Sequence, residues 1–371
     1  MKILFCGTMV PEEIEYQVKD ISAAGNRFQN NMIRNLEGMG HEVFRCTYLG
    51  MNIPEEAEDA LRQRGAASEQ ERYVQKGGKI LHSILEYRRM ARKAMSDTEV
   101  VICYNITYAW LMLPVWARKK RNKSIVILAD YSGSVSYRNP LMKFYAWMQR
   151  QSMRSFDTVV GLSPNIRRKL RKEQRFILME GGIDRALLDA FHYQPHRAGQ
   201  PVMFLYAGLL SQVTGVDILL EAMRRIRRQE IRLIITGKGD LEEEVRQAAA
   251  EDERILFKGH LAYEEYVKQL QGADILINPR NMDLPENQNN FPSKIMDYLA
   301  SGNRIISTRF AGWEKFQENI IFCDCDAKSL TECMMHAADS KADEAAVFRA
   351  NRKTAAQFEW GAQLERVLER G

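Results

Sequence analysis

The sequence predicts an α/β protein of two doubly wound, Rossmann-like domains that face a cleft. Three observations predict it. Short apolar runs alternate with amphipathic segments along nearly all of the 371 residues. A polar stretch containing Pro195 and Gly199 interrupts that alternation near the middle. The apolar runs of the second half repeatedly run into glycine, at Gly208, Gly237 and Gly259. Continuous Val/Ile/Leu runs suit strands buried on both faces of a parallel sheet, and the helical segments between them supply the crossovers. A chain of this length holds two domains of ordinary size.

The elements follow in order. Residues 2–5 predict a buried strand. Phe28, Met32, Ile33 and Leu36 share one face of a helix over 24–39, which ends among Gly38 and Gly40. A strand over 41–46 comes next, then a charged helical stretch over 54–95 that weakens near Gly65. Residues 100–104, 124–129, 158–161 and 176–180 predict further strands. The linker falls at 192–200, which puts one domain at 1–195 and a second at 196–345. In the second, strands over 202–206, 232–236, 255–258, 274–278 and 320–323 alternate with helices that include 215–227 and 262–271. Residues 346–371 predict a closing helix that packs back toward the N-terminal domain.

The segment NNFPSKIMDYLASGNRIIST, from Asn289 to Thr308, reads as loop, helix and buried strand. Ser293 stands at a preferred N-cap position, and Gly302 falls where a helix end wants a left-handed residue. A helix that starts behind an Asn-rich loop offers backbone N–H groups to an anion. Lys294 and Asp297 on its first turn set a cation for phosphate and a carboxylate for ribose hydroxyls one turn apart. On these residues alone an ordinary loop-helix-strand of an α/β domain is an equal reading. The loops at Gly208, Gly237 to Gly239, Gly259-His260 and Pro279-Arg280 all follow strands, where ligands bind in such sheets.

Composition bounds the function further. Residues 1–196 carry 30 Lys and Arg against 21 Asp and Glu, and the remainder carries 23 against 27. The basic runs RKKRNK from Arg118 and RRKLRK from Arg167 read as solvated helix faces or as a surface for anionic membrane. No helix-turn-helix, zinc-finger spacing or aromatic single-strand platform points to nucleic acid. No apolar run approaches the ~20 residues that span a bilayer, and MKILFCGTM lacks the core of a signal peptide. Six scattered cysteines without paired spacing predict buried, reduced thiols in a cytoplasmic protein. Asp324-Cys325-Asp326 has the spacing of a metal-binding Asp-x-Asp, but its place after the last strand predicts a turn. LMKFYAWMQRQSMRSF from Leu141 mixes aromatic, Met and basic residues. It reads as a core helix or as an interfacial one.

The order of motifs resembles the family-4 retaining glycosyltransferases of the GT-B fold over nearly the whole chain. YAGLLSQVTGVDILLEAM from Tyr206, LIITGKGD from Leu233, ILFKGHLAYEEYVKQLQGADILINPR from Ile255 and FPSKIMDYLASG from Phe291 resemble that family's donor-binding half. SAAGNRFQNNMIRNLEGMGHEV, FDTVVGLSPNIRRKL and MEGGID resemble its N-terminal half. The resemblance implies transfer of a sugar from a nucleotide diphosphate sugar to a glycan or lipid-linked acceptor in cell-surface polysaccharide synthesis. It implies an acceptor-side domain before the linker and a nucleotide-sugar domain after it, no cofactor, and no metal. The enzyme would be a cytoplasmic hexosyltransferase, peripheral on the inner membrane face.

Carried over by motif, the donor site takes in Gly25, Gly208, Leu209, Gly237, Lys238, Gly259, His260, Asn287, Asn289, Asn290, Phe291, Ser293 and Asp297. The departures matter. The family's paired Glu positions hold Asn289 and Asp297, and its usual Arg and Lys on the first turn of the second domain are Leu209 and Thr214. Lys294 and Arg280 are then the candidates to stabilise the leaving diphosphate. Asp130, in DYSG, stands at the strand end where many members carry His. A sugar-nucleotide epimerase of the same fold, and a non-catalytic relative, are the competing readings.

Overall fold

The computed structural model describes residues 1–18, 21–50, 53–68, 70–75, 80–129, 139–196 and 199–369. These form two units, residues 1–182 with the chain from Trp360 onward, and residues 183–359.

The first unit is built on a parallel sheet of seven described strands, β1 (Lys2–Gly7), β2 (Glu42–Leu49), β3 (Glu71–Gln75), β4 (Val100–Tyr104), β5 (Lys123–Leu128), β6 (Thr158–Gly161) and β7 (Arg175–Leu178). Their order is β3-β2-β1-β4-β5-β6-β7. The helices that connect them include α1 (Ala23–Gly38), α2 (Glu55–Ala67), α3 (Ile80–Ala94), α4 (Leu113–Lys120) and α5 (Pro140–Met153). Beyond their first residues the central strands are buried throughout because both faces are covered. Cys6 sits in register between Cys46 and Cys103 on neighbouring strands, and all three are free, buried thiols.

Strand β3 lies inside the stretch that the sequence predicts as helical. ERYVQ has no apolar run to announce it. Its Glu71 is buried by ion pairs, to Arg45 at 2.8 Å and Arg64 at 2.6 Å, and such pairing across elements carries no local sequence signal. Burial would raise the Glu71 carboxyl, yet the bonds from Arg64 and Tyr73 and the charge of Arg45 hold it below the usual range.

The second unit has six described strands in the order β10-β9-β8-β11-β12-β13, all parallel. They are β8 (Val202–Ala207), β9 (Ile231–Thr236), β10 (Ile255–Phe257), β11 (Ile275–Asn278), β12 (Arg304–Thr308) and β13 (Ile320–Cys323). Its helices are α6 (Arg185–Ala190), α7 (Val216–Arg225), α8 (Glu242–Glu251), α9 (Tyr263–Gly272), α10 (Lys294–Ser301), α11 (Ala327–Asp339) and α12 (Glu344–Ala356). The two sheets, each in the doubly wound manner, give the pair of Rossmann-like units expected.

The boundaries differ from the sequence reading. Residues 183–195 group with the second unit: Ile183 N–H donates to Phe358 O at 2.8 Å, and Arg352 donates to Leu188 O. The closing stretch is two helices. Helix α12 packs on α10, and α13 (Trp360–Leu368) belongs to the first unit. Buried Phe358, stacked on Phe316, separates them. Trp360 meets Phe28 edge-on at 5.0 Å, and Lys123 binds the carbonyls of Leu368 and Glu369.

Candidate active site

The strand order of the second sheet reverses between β8 and β11, and the loops at the carboxyl ends there are knit together. Gly208 N–H donates to Thr236 O at 3.0 Å, Leu210 N–H to Lys238 O at 2.9 Å, and Gly237 N–H to Gly259 O at 2.8 Å. Thr236 Oγ1 also donates to Gly259 O, at 2.6 Å. A Cβ on Gly237 would stand 1.7 Å from Gly208 O, so only glycine permits this approach. Leu209 O is fixed by Tyr206 Oη and Thr214 Oγ1, both at 2.6 Å, while its side chain is exposed. Lys238 and His260 are exposed beside these loops.

Lys294 is the first residue of α10. Its ammonium lies 4.0 Å from the centre of the Tyr206 ring, and a Cβ on Gly208 would come within 2.8 Å of Nζ. The Nζ atom is buried and, among the described residues, has no hydrogen-bond partner. Burial first, and the charge of Arg280 second, push its pKa down to about 7. Arg280 is held by Asn287 Oδ1, which accepts from its Nε at 2.6 Å, while Thr308 Oγ1 donates to its carbonyl at 2.7 Å. One turn along α10, Asp297 Oδ2 accepts from Tyr266 Oη at 2.9 Å. The unit thus brings together an orphaned buried amine, a guanidinium and a carboxylate around glycine loops. That set suits an anion next to a group with hydroxyls.

Four of the residues read from sequence have other surroundings than expected. Asn287 is fully buried, and its amide donates to Val213 O at 2.8 Å and Asn281 O at 2.5 Å. It is a buttress for Arg280, not a ligand for sugar hydroxyls. The Phe291 ring points into an aromatic cluster, 5.2 Å from Phe310 and 5.9 Å from Phe316, which leaves its backbone alone to face a ligand. Ser293 is helical and its side chain caps nothing, because the chain enters α10 through a tight turn in which Ile295 N–H donates to Pro292 O at 2.9 Å. Gly25 donates its N–H to the Ser22 cap of α1 at 3.2 Å. Asn289 and Asn290 are half-buried at the loop before α10. Asp130 lies outside the described residues.

Nothing in the sequence singles out Tyr206 and Tyr266 as site residues. A tyrosine at a strand end and one inside a helix carry no motif, and only the fold places them under Lys294 and Asp297. The Asp-x-Asp carboxylates have structural partners: Asp324 pairs with Arg309, and Asp326 caps α11 by accepting Ser329 N–H at 2.9 Å. In the first unit a cavity of about 350 Å³ opens at the carboxyl ends of β1, β2 and β4. Gly25, Gln29, Tyr48, Tyr104, Asn105 and Tyr108 are among its lining residues.

Two family models match the chain. The glycosyl transferase 4-like domain matches residues 24–176, and the glycosyl transferases group 1 model matches residues 201–340. Together with the paired Rossmann-like units, these matches make the chain a glycosyltransferase of the GT-B fold. Among solved structures it is similar to Alr3699/HepE of Anabaena, with a TM-score of 0.70 and 13% identity over 99% of this chain and 98% of that one. Sucrose-phosphate synthase of Thermosynechococcus elongatus superposes with a TM-score of 0.72 and 16% identity, covering 99% and 97%. A glycosyltransferase of Rickettsia africae gives 0.71 and 15%, covering 99% and 97%. No curated protein sequence matches the chain.

Proposed function

We propose that the chain is a retaining, family-4 hexosyltransferase that moves a sugar from a nucleotide diphosphate sugar to a hydroxyl of a glycan or lipid-linked acceptor. Its place would be cell-surface polysaccharide synthesis at the cytoplasmic face of a membrane. The observation that carries this reading is the Lys294 amine, buried without a partner among the described residues, beside Gly208 and in the field of Arg280. A buried ammonium next to a second cation is unfavourable until an anion arrives. Among the structural neighbours, the Anabaena protein is described with UDP and with UDP-glucose, and an Escherichia coli one with UDP-2-fluoro glucose, which supports a nucleotide sugar as that anion.

In this scheme Lys294 and Arg280 hold the diphosphate and stabilise the charge that grows on it as the glycosidic bond breaks. Asp297, oriented by Tyr266, accepts the ribose hydroxyls. Asn289 and Asn290 hold the donor sugar, the loops at Gly208, Gly237 and Gly259 accommodate the nucleotide, and Lys238 and His260 flank it. Cations and the α10 terminus supply the positive charge, so the scheme needs no metal. Gly25 and Asp130 are the first unit's candidates for the reacting end. The tyrosine-rich, hydroxyl- and amide-lined cavity near Gly25 suits an uncharged saccharide acceptor.

The titration of Lys294 provides the test. In the free protein its amine titrates near pH 7, and a bound diphosphate raises that pKa by favouring the ammonium. Affinity for a nucleoside diphosphate is therefore expected to fall by up to about tenfold per pH unit above about pH 7, where the ligand's terminal phosphate is already ionised. Calorimetry at pH 8 in buffers of different ionisation enthalpy should show proton uptake on binding. Uptake that survives in Lys294→Arg, or affinity independent of pH, would remove Lys294 from the site. Epimerised donor formed without any acceptor would remove the transferase reading itself.

A further inference from the structure

We propose that the first unit carries a docking face for an anionic lipid bilayer, centred on Phe144 and Trp147 of α5. It rests on the reading of a membrane-side glycosyltransferase and gives that reading a place on the molecule. Its test does not pass through the activity.

Helix α5 starts at Asn139, whose Oδ1 accepts Leu141 N–H at 2.8 Å. Its inner face is settled by bonds: Tyr145 and Gln149 donate to Ile106 O at 3.5 and 2.5 Å, and Ser152 to Leu111 O at 2.8 Å. On the other side Phe144 and Trp147 are each 54% exposed, and their rings lie 5.7 Å apart and 20° from parallel. Leu141, one turn earlier, is 71% exposed. Scattered single apolar residues at a surface are ordinary, but a paired Phe and Trp in water forfeits a large burial and marks a surface that something covers.

A second helix of the same unit also exposes apolar side chains. Leu81 and Leu85 of α3 are 78% and 60% exposed, and their stripe continues through Arg88. Arg88 donates to Tyr108 O at 3.1 Å and to Ala109 O at 3.3 Å. Helices α3 and α5 therefore flank the same 106–111 segment, and Met112 at its end is 42% exposed.

The charge of this part of the chain, and of α5 itself, selects the occupant. Residues 100–175 contain 15 Lys and Arg and 3 Asp and Glu. Lys143 and Arg150 of α5 are exposed beside the aromatic pair. The basic end of α4 is tied to the end of α5 by Arg118, which donates to Ser155 O at 3.2 Å. Two copies meeting through this face would oppose like charges, which argues against self-association. Aromatic and aliphatic tips among Lys and Arg match a lipid interface: rings settle at headgroup level and cations meet lipid phosphates.

The experiment is sedimentation of the full chain with vesicles of phosphatidylcholine alone, or with one part in three of phosphatidylglycerol. The parent is expected to partition about tenfold more strongly to the anionic vesicles, and high salt should weaken this. The double variant Phe144→Ser, Trp147→Ser should lose about tenfold of that partition while its thermal midpoint and nucleoside-diphosphate affinity stay at the parent's values. Lys143→Glu, Arg150→Glu should lose the preference for anionic lipid. Three results overturn the proposal: no preference for anionic vesicles, equal partition of parent and Ser variant, or a concentration-dependent dimer that the Ser variant abolishes. Vesicle binding without any nucleotide binding would keep the docking face and remove the transferase reading.

Discussion

Lys294→Ala is expected to lower the turnover number by about 10² or more, the effect of deleting one preorganised stabiliser of transition-state charge. Negative charge on the diphosphate increases as the bond to the sugar breaks, so the amine interacts more strongly with the transition state than with the bound donor. The resemblance places cations where this chain has Leu209 and Thr214, which leaves Lys294 and Arg280 as the proposed pair. Steady-state kinetics should therefore show the loss mainly in kcat. Lys294→Met offers a sharper contrast. It fills the same space over Tyr206 without an ammonium to bury, so it should raise the thermal midpoint of the unliganded protein while it abolishes turnover. If both variants keep turnover within a few-fold of the parent, the lysine is structural and the leaving-group role passes to Arg280.

Asp297→Ala is expected to weaken donor binding by about 1.5–3 kcal/mol, the worth of hydrogen bonds to a charged group. The carboxylate projects from α10 one turn beyond Lys294 and is aligned by Tyr266 Oη at 2.9 Å. Asp297→Glu keeps the charge with a longer reach and should be tolerated. Tyr266→Phe removes only the aligning bond and should have a smaller effect, about 1 kcal/mol. Calorimetry with a nucleoside diphosphate and with inorganic diphosphate separates the roles. The Asp297 variants should lose affinity for the nucleotide and not for diphosphate; equal losses for both would mean that the carboxylate does not act on ribose.

The fold was legible where burial writes itself into composition. VVICY, KSIVIL, IRLIIT and ILIN are near-continuous apolar runs, and each is a strand inside a covered sheet. Strand β3 was not legible because it has no apolar run, and the ion pairs on its buried Glu71 come from Arg45 and Arg64 on other elements. The split of the closing helix hinged on Phe358, whose burial against Phe316 no local pattern announces. In the site, the Lys294 and Asp297 spacing could be read because one helix carries both. Asn287 could not be separated from its loop neighbours, since an Asn that buttresses an arginine and one that meets a sugar look alike in sequence. The platform under Lys294 was hidden for another reason: Tyr206 and Lys294 meet only through the packing of β8 against α10.

The most direct measurement is a thermal-shift screen of the full chain against nucleoside diphosphates and their sugar conjugates, run on the parent and on Lys294→Ala. At about 100 times its dissociation constant a true donor should stabilise the parent by about 2.7 kcal/mol, and the sugar conjugate and its diphosphate should act through one nucleotide. The variant should show a clearly smaller shift with the same compound. A parent that no compound stabilises, or a shift that Lys294→Ala reproduces in full, would contradict a donor site built around the buried amine.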